Sequence, residues 1–381
     1  MQAVNDSDNS GRKALIVGGG IGGMSAAITL RKLGFAVDLI DLDPQWRVYG
    51  AGISITGPTL RAFKALGILD EVKAQAFTGD GIQICDASGK PSHIVPTPIV
   101  ADPDVPGSGG IMRPLLHSLL SGRTRQAGTQ VRLGITVDSL QSDESGVDAV
   151  FSDGSSGRYD FAVGADGVFS RVRKLLFPHA DGPQYTGQRV WRVTVARPPS
   201  VTRRMFFLGG PLKVGLTPVS ASEMYMFVLE PAEKKEIIPD AQLAGELKKL
   251  LQPYGGVLSS IHDALNPDCE IVLRPLEGFL LPKPWEKGRV ILIGDAAHPT
   301  TPQLASGAGM AVEDALVLGE EMASQPSVEA AFAGFMQRRY ERCRLVVENS
   351  LEIGRREQAR LPLAQQAELV AQSLQILAQP I

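Results

Sequence analysis

Ala14-Leu15-Ile16-Val17 is an uninterrupted apolar run, the pattern of a strand buried on both faces of a sheet. Met24 to Leu33 reads as a helix, Gly34 ends it, and Ala36 to Ile40 returns as a second strand. To about residue 75 the order is strand, helix, strand, loop, helix. Residues 94–110, rich in Pro, Gly and Asp, read as a loop. Pro114 opens a helix, where its missing N–H costs nothing. Strands follow near 131–137 and 147–151, with a hairpin turn at Asp153-Gly154. Tyr159 to Val163 leads into a turn at Asp166-Gly167. From about 185 to 274 the texture becomes β-rich: Val190–Ala196, Met205–Leu208, Val214–Thr217 and Met224–Leu229. Residues 289–294 resume the buried-strand pattern, and after Gly307 the chain is mostly helical. The fold class is therefore α/β, with an antiparallel sheet inserted into a nucleotide-binding layer. Near the end, Leu363, Ala367, Val370, Leu374 and Leu377 share one helical face, which packs on the parent domain or forms a dimer contact.

Three glycine-rich turns punctuate this pattern. Gly18, Gly20 and Gly23 supply the G-x-G-x-x-G spacing between the first strand and helix, with Gly22 beside them. The first glycine permits the tight turn, the second lets a pyrophosphate approach the backbone, and the third lets helix and strand pack closely. The helix N-terminus then faces the phosphates with unpaired N–H groups. Asp41, at the end of the second strand, stands where a ribose diol donates hydrogen bonds; Asp43 is a competitor one turn too late. Gly164-Ala165-Asp166-Gly167 and Gly294-Asp295-Ala296-Ala297-His298-Pro299 are the other two turns. Three turns in this order suggest one large cofactor laid across one domain, as in a flavin enzyme. No second G-x-G-x-x-G follows a strand after residue 23, so a nicotinamide cofactor is expected only as a transient visitor.

Composition narrows the class. The chain has 381 residues, 44% hydrophobic and 21% charged, with net charge −3, so neither nucleic acid nor an anionic membrane is an expected partner. Residues 14–30 are uncharged but glycine-broken and short for a bilayer, which takes about 20 apolar residues. Cys85, Cys269 and Cys343 are scattered, which argues against a disulfide framework, a zinc site or a disulfide reductase. Met1 to Ser10 is polar and expected to be disordered. With no secretion signal, a cytoplasmic monomer or homodimer without a bound metal is the expectation.

On these motifs the chain resembles the single-component FAD-dependent aromatic hydroxylases, of the para-hydroxybenzoate hydroxylase type, over about residues 12–350. The resemblance implies a Rossmann-like FAD-binding domain of the glutathione-reductase type, built from 12–180 and 275–350. It implies a substrate-binding β-sheet domain from 181–274 with parts of 76–100, and a C-terminal helical segment over 351–381. Gly18, Gly20, Gly22 and Gly23 would hold the FAD pyrophosphate and Asp41 the adenosine ribose. Gly50-Ala51-Gly52-Ile53 resembles the loop near the flavin ring, and Arg113 an arginine that reaches the cofactor. Asp166 and Gly167, with Ser170 and Arg173, match a segment serving both FAD and NAD(P)H. Asp295 matches the carboxylate on the ribityl hydroxyls; Pro302, Gly307, Gly309 and Met310 match the flavin-ring loop. Ser306 departs from the family, which often has glutamine there. The implied reaction uses NADH or NADPH and O₂ to hydroxylate a small hydroxylated aromatic or N-heteroaromatic compound through a flavin C4a-hydroperoxide. The alternative is a reductase or oxidase of the same fold acting on a non-aromatic or isoprenoid compound. A halogenase is disfavoured because no W-x-W-x-x-P stretch is present.

Each site residue also has a plainer reading. Asp166 and Asp295 can be helix caps, and Arg113 a surface residue before a helix. His298 lies beside the flavin loop and is a candidate base, or a partner of the backbone. His93, His117, His179 and His262 carry no motif. The helix from Gly307 would point its N-terminus at the flavin N1–C2 edge, where a reduced flavin is negative. Tyr225 and Phe227 share one strand face. Lys213, Arg192 and Tyr225 are candidate contacts to an anionic or hydroxylated ring, with Lys213 and Tyr225 also candidates for the chemistry. Solvated strand positions are the alternative for both cations.

Overall fold

The computed structural model describes residues 9, 11–48, 50–98 and 100–381. Its central layer is a six-stranded sheet. From edge to edge the strands are Glu286–Lys287, Val290–Leu292, Phe161–Gly164, Lys13–Val17, Ala36–Asp41 and Gln130–Leu133. All neighbours run parallel except the two-residue edge strand. Ala14 to Val17 are at most 2% exposed, as a strand covered on both faces requires. The crossover helix Ile21–Lys32 begins at the glycine turn itself, three residues earlier than its apolar periodicity indicates.

The segment between the second strand and residue 112 holds more order than its composition indicates. Gly52–Thr56 is a strand in a stretch read as loop. Pro91–Val95 and Ser108–Met112 close in on the 94–110 loop from both sides. Ser108–Met112 is the middle strand of a three-stranded sheet with Gly52–Thr56 and Phe77–Gly79. Its two glycines look like loop residues, yet they are required by packing. A Cβ at Gly110 would strike the Pro218 carbonyl, and one at Gly109 the Phe77 carbonyl.

The inserted sheet has seven strands, ordered Ile271–Gly278, Gln184–Ala196, Glu223–Pro231, Lys213–Pro218, Arg204–Phe207, Ile82–Cys85, Pro91–Val95. It is antiparallel except where Arg204–Phe207 meets Ile82–Cys85. Alternation divides its faces. Trp191, Val193, Val214, Leu216, Met224, Met226 and Val228 pack with Leu243, Leu247 and Leu258 of the helices Asp240–Leu251 and Val257–Ala264. The opposite face carries Arg192, Tyr225, Phe227 and Phe206 toward the parallel layer. The strand Ile271–Gly278 continues past residue 274, so the return to the parallel layer comes after Gly278.

The last third is helical: Gly307–Ser324, Val328–Gln358 and Leu363–Ala378. The middle helix runs 31 residues without a break, so no boundary falls at 350. The terminal helix docks by its C-terminal half, where Ser373 is buried and accepts from Asn349 Nδ2 at 2.9 Å. Leu377 and Ala378 are buried while Leu363 is exposed, and Arg61 and Arg342 donate to the Ala378 and Leu377 carbonyls. Within the polar first ten residues only Asn9 is described. It is buried, and its side-chain amide donates to the Leu33 carbonyl; the rest lies outside the described residues. Among the described residues, no helix is long and apolar enough to cross a membrane.

Candidate active site

Between the two sheets lies a cavity of about 810 Å³. That is the upper range for small-molecule and cofactor sites. It runs from the first glycine turn, past Asp295 and the start of the helix Gly307–Ser324, to the inner face of the seven-stranded sheet. Gly20, Gly22, Gly52, Ile53, Arg113, Gly167, Asp295, Pro302 and Gly307 line its cofactor half. Lys213, Tyr225, Arg192 and Phe227 line the other.

The cofactor half is built for an extended anionic guest. A Cβ on Gly20 would meet nothing within 4 Å, so the backbone is open to the cavity there. Neither the helix from Ile21 nor the helix from Gly307 has a side-chain cap on its first-turn N–H groups; Ser306 Oγ instead donates to the Leu304 carbonyl. Two positive helix ends thus face one space. Asp41 Oδ2 accepts the Gly19 N–H at 2.7 Å and Oδ1 the Asp43 N–H at 2.8 Å, fixing the turn against the strand end with lone pairs to spare. Asp295 projects into the cavity. Enclosure raises its carboxyl above the usual range, while His298 and Arg113 pull the other way. These features fit FAD: glycine backbone for the pyrophosphate, a carboxylate for ribityl hydroxyls, a helix end for the ring.

Several expected cofactor residues act on the protein instead. Gly18 has φ +106° and packs on the Ala165 carbonyl, and Gly23 presses on the Gly18 carbonyl; both shape the turn without lining the cavity. Asp166 caps the helix Arg171–Leu176, accepting the Arg171 N–H at 2.7 Å and the Val172 N–H at 3.0 Å, and so takes the plainer reading. Arg173 is buried and donates to the Ala296 and Val168 carbonyls. Gly309 makes room for Thr59, and Met310 is buried against Arg339.

His298 is the principal correction. Its Nε2 lies 2.6 Å from Asp314 Oδ2, its ring stacks 5.1 Å from that of Trp285, and it is 2% exposed. It faces away from the cavity and cannot serve a substrate there as a base. Its partner Asp314 accepts the Gly294 N–H at 2.8 Å and Arg339 Nε–H at 2.8 Å. Arg339 also donates to Glu313, which Arg342 holds from the other side. The cluster pins Gly294, at φ +57°, and with it the direction of Asp295.

In the substrate half, four strands bring one row together: Arg192, Phe227, Gly215 and Phe206. A Cβ on Gly215 would strike the Phe227 ring, so its absence lets Phe206 and Phe227 meet edge to face at 6.0 Å. Tyr225 lies in the next row. Its hydroxyl is 2.6 Å from Ser54 Oγ, which is 3.0 Å from Thr217 Oγ1. Lys213 donates to Glu357 Oε1 at 2.7 Å, and Glu357 Oε2 accepts from Gln303 at 3.2 Å. Ser54, Arg204, Gln303 and Glu357 were not singled out from the sequence. Ser54 alone had a signal, its place two residues past Gly52 of the loop expected near the flavin ring.

The comparisons agree with this geometry. The FAD binding domain family matches residues 12–350. YetM of Bacillus subtilis (strain 168), whose name assigns an FAD-dependent monooxygenase function, is 32% identical over 90% of this chain and 93% of its own. The aurachin C monooxygenase/isomerase of Stigmatella aurantiaca is 29% identical over 91% of this chain and 89% of its own. The crystal structure of Klebsiella pneumoniae HpxO with FAD and uric acid superposes with a TM-score of 0.86 at 25% identity, covering 99% of each chain. The chain is an FAD-binding flavoprotein monooxygenase and belongs to the single-component FAD-dependent aromatic hydroxylases.

Proposed function

We propose that the protein hydroxylates a small hydroxylated aromatic or N-heteroaromatic compound, with NADH or NADPH as electron donor and O₂ as co-substrate. The observation that carries this reading is the single cavity joining a dinucleotide cradle to an aromatic-lined pocket with a hydroxyl chain in its wall. Relatives named for aurachin C and uric acid support a flat heteroaromatic ring as the substrate type.

FAD, once reduced, supplies an oxygen atom from O₂ in activated form. The protein does the rest. Gly20 and the helix from Ile21 would hold the pyrophosphate, and Asp295 the ribityl chain. The helix end at Gly307 would favour negative charge on the ring by about 1 kcal/mol. Phe206, Phe227, Leu229 and Val190 exclude water from the substrate. Tyr225 Oη, fixed by Ser54 Oγ and Thr217 Oγ1, donates a hydrogen bond to the oxygen of the substrate hydroxyl and so favours its ionised form, the proton leaving to water. An electron-rich, ionised ring is thereby presented to the oxygen.

Aerobic oxidation of NADH and NADPH by the FAD-loaded protein, across hydroxybenzoates, hydroxypyridines and purines with product mass recorded, tests this. A compound that speeds oxidation and gains one oxygen atom supports it. FAD reduction with no oxygenated product from any compound overturns it. Tyr225→Phe is expected to lower kcat by roughly 10²-fold with KM little changed; unchanged kcat would remove the hydroxyl chain from the mechanism. Glu357→Gln frees the Lys213 charge, so it should lower KM for an acidic substrate several-fold, while Lys213→Met raises it by roughly tenfold. Steady-state KM values moving in the same direction for both variants would take Lys213 off the substrate wall.

A further inference from the structure

The terminal helix Leu363–Ala378 is lightly held. Every residue from 363 to 372 is exposed or half-buried, and only Ser373, Leu377 and Ala378 are buried. An element with so few buried contacts opens locally at low cost. Its last turn nonetheless rests on two cations. Arg61, on the helix Gly57–Leu66, donates to the Ala378 carbonyl at 2.7 Å and the Leu377 carbonyl at 3.3 Å. Arg342, on the long helix, donates to the Leu377 carbonyl at 2.7 Å and the Ile376 carbonyl at 3.4 Å. Carbonyls at a helix C-terminus carry partial negative charge, so the helix end serves both guanidinium groups as an anion. Behind them stands Glu313, fully buried. Arg342 grips it at 2.8 and 3.0 Å, Arg61 lies 3.6 Å away, and Arg339 donates to it at 2.8 Å. Arg339 in turn bonds Asp314, and Asp314 accepts the Gly294 N–H beside Asp295. Signs alternate along this line, and no link exceeds 3.6 Å. Four cations, Arg61, Arg339, Arg342 and His298, meet two carboxylates, Glu313 and Asp314, in this cluster. The helix end supplies part of the missing negative charge.

We propose that the terminal helix is a latch on the cofactor floor: its docking on Arg61 and Arg342 and the occupation of the cavity by FAD are coupled, each strengthening the other. The inference goes beyond the hydroxylase reading and needs only the FAD site. With the helix docked, Glu313 is shut from water, and the bonds behind it hold Gly294 where Asp295 points into the cavity. When the helix lifts, Arg61 loses both carbonyl partners, and its Nε–H already meets no acceptor. Arg61 and entering water then compete for Glu313, which loosens the hold of Glu313 on Arg339. Arg339 and Asp314 carry that slack to Gly294, whose φ of +57° is kept by its surroundings. FAD, by engaging Asp295 from the cavity, steadies the same line from its other end. Such coupling is reciprocal: the factor by which FAD steadies the helix is the factor by which undocking weakens FAD. A plain packing role for the helix differs in one respect, since it gives the same docking with the cavity full or empty.

The test follows hydrogen exchange over residues 363–378 of the full-length protein, with FAD bound and after its removal. FAD is expected to slow exchange there by roughly tenfold. The helices Asp240–Leu251 and Val257–Ala264, on the outer face of the seven-stranded sheet, should change much less. Leu377→Asn puts a polar group into the docked turn and should lift the helix. Its FAD dissociation constant, read by flavin fluorescence, should rise by about the same factor. Arg61→Met removes the donor to both carbonyls and should give part of that rise. Leu363→Gln, on the exposed flank, should change neither quantity. If Leu377→Asn does not fold, Arg61→Met and the wild-type exchange still decide. Equal exchange with and without FAD overturns the proposal, and so does wild-type FAD affinity in both Leu377→Asn and Arg61→Met. Variants that bind FAD weakly while exchange ignores FAD would also overturn it, and would leave the helix a structural support alone.

Discussion

Arg339→Met is expected to destabilise the protein by about 3–5 kcal/mol. Arg339 is fully buried and bonds Asp314 Oδ1, Glu313 Oε2 and the Met310 carbonyl. Methionine fills similar space but leaves two buried carboxylates short of a donor. Glu313 keeps Arg342, and Asp314 keeps only His298 as a cationic partner. Breaking one member of such a cluster costs far more than the intact cluster contributes, because the remaining charge is stranded. Urea unfolding of the FAD-free protein measures it directly. A loss under 1 kcal/mol, on the order of a surface change, would show that the cluster is solvated in solution.

The same cluster has a pH signature. Burial alone would raise the Asp314 carboxyl, but His298 and Arg339 hold it well below the usual range. Its contribution is present above pH about 4 and lost as pH falls through the depressed folded value. His298 runs the other way. Burial opposes its charge, yet the Cys343 sulfur and the Asp314 carboxylate hold it protonated well above its ordinary value. That contribution is complete below pH about 6.5 and lost as pH rises through the elevated folded value. The stability gap between wild type and His298→Asn should therefore be wider at pH about 6 than at pH about 10. A gap that widens with pH would mean that His298 is neutral in the folded protein.

The second large effect separates two glycines of one motif. Gly23→Ala places a methyl inside the contact distance of the Gly18 carbonyl, so helix and strand must part. Overpacking of this kind costs about 1–3 kcal/mol, and the parted turn should also lose FAD. Gly20→Ala meets open space in the FAD-free protein and should leave its unfolding temperature unchanged. Its methyl enters the cavity where a pyrophosphate must touch the backbone, so FAD affinity should fall by roughly 30-fold or more. Thermal unfolding without FAD and flavin fluorescence titration distinguish the two. If Gly20→Ala binds FAD normally, the pyrophosphate does not approach that turn.

Particular residues show how far the amino-acid pattern carried. Ala14 to Val17 were legible because burial on both faces leaves a run with no polar position. The glycine turns were legible because backbone shape and ligand approach demand the same small residue. Gly52–Thr56 was not, since a glycine-led five-residue strand has too few positions to show a period. His298 stands three residues from Asp295, but nearness along a chain is not direction in space: one faces the cavity, the other Trp285. Arg204 fell just outside the strand read at Met205–Leu208, and its burial depends on strands far away in sequence. Glu357 lay in a tail with no motif, and only the unbroken long helix brings it to Lys213.

That helix acts as a ruler. Arg339 and Glu357 lie about five turns apart on it, hence on the same side. One clamps the cluster beneath Asp295; the other meets Lys213 on the substrate sheet. Inserting or deleting a single residue between them would swing Glu357 by about 100° around the axis while Arg339 stayed in place. The spacing between cofactor floor and substrate wall is therefore written in the length of a helix that lines neither half of the cavity.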